Sequence, residues 1–134
     1  MQSNRVLKEN VLSRIAHGKQ WKKVGVDRKE KWQVGDKIVH IRYRARPLYG
    51  GVYSYGINPN SLEADYEVWI CGDTEKYYLI PTNVIKMIYN HPDAYPDHTN
   101  PEIRVPYVHV GTHRCRYSPN GLIFDFSVYY RATL

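Results

Sequence analysis

Two runs of residues with strong β-propensity, separated by a Gly-Asp pair, restrict the fold of this chain more than any other feature. Residues 65–71 read DYEVWIC and residues 76–80 read KYYLI. Both runs are rich in aromatic and β-branched side chains, which pack well on a pleated surface. Gly72-Asp73 follows the first run, and glycine and aspartate are the residues that tight turns favour. The sequence therefore predicts a β-hairpin over residues 65–80.

Further segments with helical or strand periodicity lie on both sides of this hairpin. Apolar residues recur at helical spacing over residues 3–17, where Ser3 or Asn4 can cap a helix and Gly18 can end it. The other predicted elements are strands at 24–34, 38–45, 52–57, 103–110 and 122–130, and a short helix at 83–90 that Thr82 can cap.

The chain of 134 residues is long enough to bury a core, and it contains no internal repeat or linker. We predict a single domain over residues 1–134 of the α+β class. Its architecture is expected to be one mostly antiparallel (mixed) sheet with an N-terminal helix and a short second helix.

Positive charge is concentrated in the first third of the chain. Residues 1–46 contain thirteen Lys and Arg against four Asp and Glu, whereas residues 47–134 contain six against nine. Such asymmetry within one domain favours a surface that faces a polyanion. Nucleic acid is the predicted partner, with DNA preferred to RNA. The alternatives are an acidic protein, a membrane surface, or basic side chains that only keep one side of the protein hydrated.

The start of the sequence, MQSNRVLKEN, lacks the apolar core of a signal peptide, and no apolar run approaches membrane-spanning length. The chain has two cysteines, fewer than a small secreted scaffold normally needs. We therefore expect a cytoplasmic protein without a membrane partner. The sequence carries no signal for an oligomeric state.

The strand predicted at residues 38–45 carries a row of basic side chains. Side chains two residues apart on a strand lie on the same face, about 6–7 Å from each other. His40, Arg42 and Arg44 share one face, and Arg46 continues the row. This spacing matches successive phosphates of a nucleic-acid strand, and guanidinium groups fit phosphate oxygens. The predicted phosphate contacts of the basic surface are Lys22, Lys23, Arg28, Lys29, Lys31, Arg42, Arg44 and Arg46.

One stretch of the sequence is similar to a nuclease family. Residues 64–85, ADYEVWICGDTEKYYLIPTNVI, preceded by YSYGIN, resemble the strand–turn–strand–Pro element of small PD-(D/E)XK endonucleases of the intron-encoded and phage type. A helix with Glu9, followed by Asp27 and the strand VHIRYR, resembles the start of that core. The similarity covers roughly residues 3–90.

The resemblance implies a catalytic site. In the family a motif acid lies on one strand, and a Glu-x-Lys or Gln-x-Lys pair lies on the adjacent strand. It implies Asp27 as the Mg²⁺-binding acid, with Asp36 as a rival, and places His40 and Arg42 at the positions of the pair. Histidine adds no negative charge at a metal site, and arginine keeps its proton at neutral pH. Two possibilities stay open: a metal-dependent DNA endonuclease with an altered site, or a binding protein that has lost cleavage.

Other function classes also fit. The stretch WQVGDKIVHIRY resembles the entry of small β-barrel readers, which imply a non-enzymatic module that holds single-stranded or modified nucleic acid on its tyrosines. A protein-interaction or regulatory domain of a phage or bacterial operon is the third class.

Two groups of polar residues are candidates for metal binding or acid–base chemistry. His109, His113 and Cys115 are closely spaced, but they lack the paired spacing of structural zinc sites, so we interpret them as a polar edge-strand face. Asp65 and Glu67 share one face of a predicted strand, and we expect that face to be solvated.

Overall fold

The computed structural model describes residues 3–25 and 30–134, and its first element is a helix. Helix α1 spans Asn4–Ala16. The Ser3 hydroxyl oxygen accepts a hydrogen bond from the Val6 amide over 3.2 Å, and His17 adopts a left-handed conformation (φ 50°) that ends the helix. The predicted N-terminal helix is confirmed. Its buried side chains are Leu7, Val11, Leu12, Ile15 and Ala16.

A mixed five-stranded sheet, sheet 1, forms the centre of the protein. Its strands are β1 (Trp21–Lys23), β2 (Lys31–Val34), β3 (Lys37–Arg44), β5 (Tyr66–Cys71) and β6 (Tyr77–Pro81). They lie in the order β1-β2-β3-β5-β6. All neighbours are antiparallel except β3 and β5, which run parallel. The predicted hairpin over residues 65–80 corresponds to β5 and β6.

A second sheet was not predicted, and the expectation of one sheet is wrong, although the α+β class is confirmed. Sheet 2 consists of β4 (Val52–Ser54), β7 (Tyr107–His109), β8 (Arg114–Arg116) and β9 (Ile123–Asp125), in the antiparallel order β4-β7-β8-β9. The physical reason lies in the parallel pair. Because β3 and β5 run in the same direction, the chain between them must cross from one end of sheet 1 to the other. Strand β4 lies in that crossover and pairs with β7.

Sheet 1 is covered on both faces. On one face, Val39, Ile41, Val68 and Ile70 pack with α1 in a first apolar cluster. The opposite face packs against sheet 2 in a second cluster, whose buried residues include Trp69, Cys71, Tyr78, Ile80, Tyr55, Val108, Cys115 and Phe126. A strand between two covered faces is buried on both sides, which explains why β5 is almost continuously apolar.

Helix α2 spans Thr82–Tyr89 and follows β6 directly. It adds Ile85 and Ile88 to the second cluster. Thr82 was predicted to cap this helix, but the helix begins one residue earlier than expected, so Pro81 occupies the capping position and no side chain caps it. Within residues 3–25 and 30–134, no helix is both long and apolar enough to cross a bilayer.

Candidate functional site

A buried carboxylate lies where the nuclease resemblance places the catalytic pair. In the parallel register of β3 and β5, His40 is opposite Glu67 and Arg42 is opposite Trp69. Glu67 exposes 0% of its surface. Its Oε2 lies 2.6 Å from Nδ1 of His40, and its Oε1 accepts a hydrogen bond from Nε of Arg42 over 3.0 Å. We call these three residues the Glu67 cluster.

The Glu67 cluster is satisfied internally. A lone carboxylate removed from water is destabilised by several kcal/mol, so it needs partners on both oxygens. His40 and Arg42 supply them, and their side chains are only 13% and 16% exposed. Nη1 of Arg42 also donates to the Gly56 carbonyl oxygen over 2.6 Å. The cluster therefore joins β3, β5 and the crossover segment.

The predicted row of four basic side chains is interrupted by this cluster. His40 and Arg42 turn toward Glu67, whereas Arg44 and Arg46 are exposed. Nε of Arg44 donates to the Ser54 carbonyl oxygen over 3.1 Å. The row available to a phosphate chain is thus reduced to its last two members.

Glu67 itself was expected on a solvated face, and that expectation is wrong. Asp65, its predicted neighbour, is exposed and accepts the Ile38 amide over 2.8 Å. The burial of Glu67 follows from the position of β5 between two covered faces. The spacing of Glu67, Trp69 and Cys71 was the available signal. Side chains two residues apart lie on the same face of a strand, so a carboxylate on the same face as two core side chains is buried with them.

The residues predicted to hold Mg²⁺ are not all described. Asp27 lies outside the described residues, as do the predicted phosphate contacts Arg28 and Lys29, and Asp36 is exposed in the turn between β2 and β3. Within the described ranges no three His, Cys, Asp or Glu side chains come together as a possible metal site. His109, His113 and Cys115 illustrate this: His109 lies at the end of β7, His113 in the turn that follows, and Cys115 in the middle of β8.

Each of these three residues has its own environment. Cys115 points inward opposite Val108 and is buried in the second cluster. Nδ1 of His113 lies 2.8 Å from the Tyr78 hydroxyl, and Nδ1 of His109 lies 2.9 Å from the Thr112 hydroxyl. The structure therefore does not bring them together as a ligand set.

A groove beside the β1–β2 hairpin collects much of the basic charge. It has a volume of about 650 Å³ and lies between α1 and the hairpin. Its lining residues are Asn4, Arg5, Lys8, Glu9, Trp21, Lys22, Lys23, Glu30 and Trp32. We call it the hairpin groove.

Two of the cations in the hairpin groove have carboxylate partners. Lys8 pairs with Glu30 at 3.2 Å, and Arg5 pairs with Glu9 at 3.0 Å. Lys22 and Lys23 are exposed and have no carboxylate partner among the residues that the structure describes.

Two tryptophans line the hairpin groove together with Lys22 and Lys23. Nζ of Lys23 lies 5.9 Å from the ring centroid of Trp32. Trp21 is half-buried and meets Trp32 edge to face, with 5.6 Å between the ring centroids. The hairpin groove is thus lined by two exposed ammonium groups and by the half-buried ring of Trp21, and Lys23 lies over the buried ring of Trp32.

A second concave surface lies on the outer face of sheet 2, and no sequence pattern had pointed to it. It encloses about 290 Å³ and is lined by Tyr49, Val52, Tyr107, His109, Thr112, Arg114 and Arg116. We call it the tyrosine–arginine pocket. Its strands are three residues long, too short for a clear period, although the order Arg114, Cys115, Arg116 has one inward residue between two outward ones.

No family model, curated protein or solved structure matches this chain. The kinship with PD-(D/E)XK nucleases therefore stays a prediction from the sequence.

Proposed function

We propose that this protein binds nucleic acid through the hairpin groove. The observation that carries the proposal is the pair of exposed lysines, Lys22 and Lys23, which have no carboxylate partner in the described part of the chain and line the same groove as Trp21. Lysine ammonium groups bind phosphates, and an accessible aromatic ring stacks on bases whatever their sequence.

The position of these residues favours a long polyanion as the ligand. Strand β1 is at the edge of sheet 1, so a ligand can approach it from the side. Trp21 and Lys23 share one strand face and Lys22 lies on the other. A chain of phosphates that passes along the edge can contact both faces, which a small anion cannot. DNA is the first ligand to test.

We also propose that Arg44 and Arg46, which do not line the hairpin groove, contact phosphates of the bound nucleic acid. Both are exposed at the end of β3 and belong to the same basic third of the chain. We include them as additional phosphate contacts. Arg42 is not included, because Glu67 and Gly56 hold its guanidinium group inside the protein.

Cleavage of the bound strand is not part of the proposal. His40 and Arg42, which the resemblance assigns to catalysis, hold the buried Glu67 carboxylate with little exposure. A nuclease would need these groups at the substrate.

Fluorescence anisotropy with labelled duplex and single-stranded DNA and RNA tests the proposal. We expect binding at about 20 mM salt that weakens steeply toward about 200 mM, because bound phosphates release counterions. The Lys22→Ala/Lys23→Ala variant should bind duplex DNA more weakly. The slope of log Kd against log salt should decrease by about 1.8, because each phosphate that a lysine no longer neutralises lowers the slope by about 0.9.

A matched variant, Lys76→Ala/Lys86→Ala, removes the same charge next to β6 and on α2, at the opposite edge of sheet 1. It should keep the wild-type slope. Equal slopes for both double variants, or no binding to any nucleic acid at low salt, would reject the proposal. Incubation with Mg²⁺ or Mn²⁺ in the same assay shows whether the DNA stays intact, as we expect.

A further inference from the structure

The tyrosine–arginine pocket has the chemistry of a small-ligand site. Its walls come from β4, β7 and β8, whose outward residues meet in register: Tyr107 faces Arg116, and His109 faces both Arg114 and Val52. Tyr49, in the turn before β4, closes one side and is 58% exposed. Ligand pockets in proteins begin at about 300 Å³, so the volume of about 290 Å³ fits one compact group.

Arg116 is held in place by aromatic rings. Its guanidinium carbon lies 5.8 Å from the ring centroid of Tyr107 and 6.0 Å from that of Tyr95. Its Nη2 lies 3.5 Å from the Tyr49 hydroxyl oxygen. A guanidinium group over an aromatic face keeps its charge and its outward N–H groups. Arg116 is therefore oriented without an acidic partner in the described structure.

Arg114 is a second cation in the same pocket, two residues away on the same face of β8. Its guanidinium group makes no ion pair with any described residue. Asp125 lies opposite Arg114 on β9 and interacts with it electrostatically without forming an ion pair, and its Oδ1 accepts the Ser127 amide over 2.9 Å. Among the residues that the structure describes, none of those lining the pocket is acidic.

We propose that the tyrosine–arginine pocket binds a nucleoside 5′-phosphate group, either as a free nucleotide or as the phosphorylated end of a single strand. The phosphate would lie between Arg114 and Arg116, which offer forked donors for its oxygens. The base would stack on the exposed ring of Tyr49. Both parts of the ligand are needed because the pocket combines cations with aromatic surface.

This inference does not rest on the proposed function. The pocket belongs to sheet 2, whereas the hairpin groove lies between α1 and the edge of sheet 1. Loss of binding in one site can therefore be measured while the other is intact.

Isothermal titration calorimetry with adenosine 5′-monophosphate, adenosine, inorganic phosphate and two octadeoxyadenylates, one with a 5′-phosphate and one with a 5′-hydroxyl, tests the inference. The two strands are titrated into the Lys22→Ala/Lys23→Ala variant so that the hairpin groove does not contribute to their binding. We expect the nucleotide or the 5′-phosphorylated strand to bind at least tenfold more tightly than adenosine, phosphate and the 5′-hydroxyl strand. Tight binding of free nucleotide identifies a nucleotide site, and tight binding of the phosphorylated strand alone identifies a strand-end site.

The variants Arg114→Gln and Arg116→Gln should each weaken binding at least tenfold, and Arg114→Lys should recover only part of it because lysine lacks the fork. Arg131→Gln removes the same charge from an arginine paired with Glu75, outside the pocket, and should bind as the wild type does. Circular dichroism establishes that each variant is folded. The inference is overturned if neither the nucleotide nor the 5′-phosphorylated strand binds at millimolar concentration, or if phosphate alone binds as tightly as the nucleotide. It is also overturned if the folded Arg114→Gln and Arg116→Gln proteins bind these ligands as tightly as the wild type does.

Discussion

His40 and Glu67, twenty-seven residues apart in sequence, lie opposite each other on the parallel strands β3 and β5, with Nδ1 and Oε2 only 2.6 Å apart. Arg42 holds the other oxygen of the same carboxylate. His40 and Arg42, two members of the basic row that was predicted to face a ligand, therefore bind a buried carboxylate inside the protein. The Glu67 cluster also generates the most direct test of the structure.

The Glu67→Gln variant should be less stable than the wild type by about 3–5 kcal/mol, because it leaves His40 and Arg42 without the buried charge that they surround. Urea unfolding followed by circular dichroism measures the difference. Glu63→Gln is the matched control: Glu63 is exposed and pairs only with Lys31 among the described residues, so its loss should change stability by at most about 1 kcal/mol. Equal effects of the two substitutions would contradict the burial of Glu67.

Substitutions of Arg42 and Arg44 should affect different properties: the first should lower the free energy of unfolding, and the second should weaken DNA binding. Arg42→Gln should destabilise the protein by about 3 kcal/mol or more, since it breaks the Glu67 cluster. Arg44→Gln should leave the unfolding free energy within about 0.5 kcal/mol and lower the salt slope of duplex binding by about 0.9. Urea unfolding and anisotropy on the same preparations check both. A stable Arg42→Gln protein with a reduced salt slope would restore the original prediction for the row.

Tyr55 should make the protein sensitive to alkaline pH. Its hydroxyl donates to the Ile70 carbonyl oxygen over 2.7 Å, and burial strongly raises its pKa. Because the folded pKa lies above the unfolded value of about 10, the contribution of Tyr55 to stability is complete below pH 10 and is lost as the pH rises above it.

The Tyr55→Phe variant should therefore be about 1 kcal/mol less stable than the wild type at pH 7, where it lacks the hydrogen bond. Above pH 10 the difference in the free energy of unfolding should narrow. Ionisation of Tyr55 in the unfolded chain then lowers the stability of the wild type, whereas the variant has no hydroxyl to ionise. Urea midpoints between pH 7 and pH 11 follow the change. A difference that stays constant over this range would argue against the buried hydroxyl.

Both cysteine thiols should be unreactive in the native protein. Burial raises the pKa of Cys71 to about 12 and also raises that of Cys115. Thiolates are the reactive species, so a disulfide reagent at pH 8 should label neither residue until guanidinium unfolds the chain. Absorbance of the released thiol gives the rate. Rapid labelling of the native protein would mean that the second apolar cluster opens easily.

Helix α1, strand β3 and the β5–β6 hairpin could be predicted from the sequence, whereas strand β1 and the parallel pairing of β3 with β5 were not predicted. The strand predicted over residues 24–34 includes residues outside the described ranges, and of its described residues only Lys31–Val34 form a strand. The apolar spacing of α1, the alternation of Val39 and Ile41, and the Gly72 turn are local signals, and each produced a correct element. The parallel pairing of β3 with β5 joins segments separated by the crossover, and no pattern within either strand specifies it.

The same limit applies to the two candidate surfaces. Lys22 and Lys23 were predicted from charge alone, which indicates a basic surface without giving its shape. Arg114 and Arg116 were missed because three-residue strands show no period, and because Tyr49 meets them only through the fold of sheet 2. Glu67 was misplaced since the second covered face of β5 was not expected.

The Glu67 cluster also affects the register in which β5 pairs with β3. Strand β5 is apolar on both faces, so hydrophobic burial alone barely distinguishes one alignment with β3 from another shifted along it. A shift by one residue would carry Glu67 to the α1 side, among Val39 and Ile41, with no cation to meet it. We expect that replacing all three residues of the Glu67 cluster with apolar ones of similar size would keep a compact protein but permit several alignments, visible as duplicate amide resonances. Glu67 therefore specifies the alignment of β5 with β3, which the apolar residues of β5 do not determine by themselves.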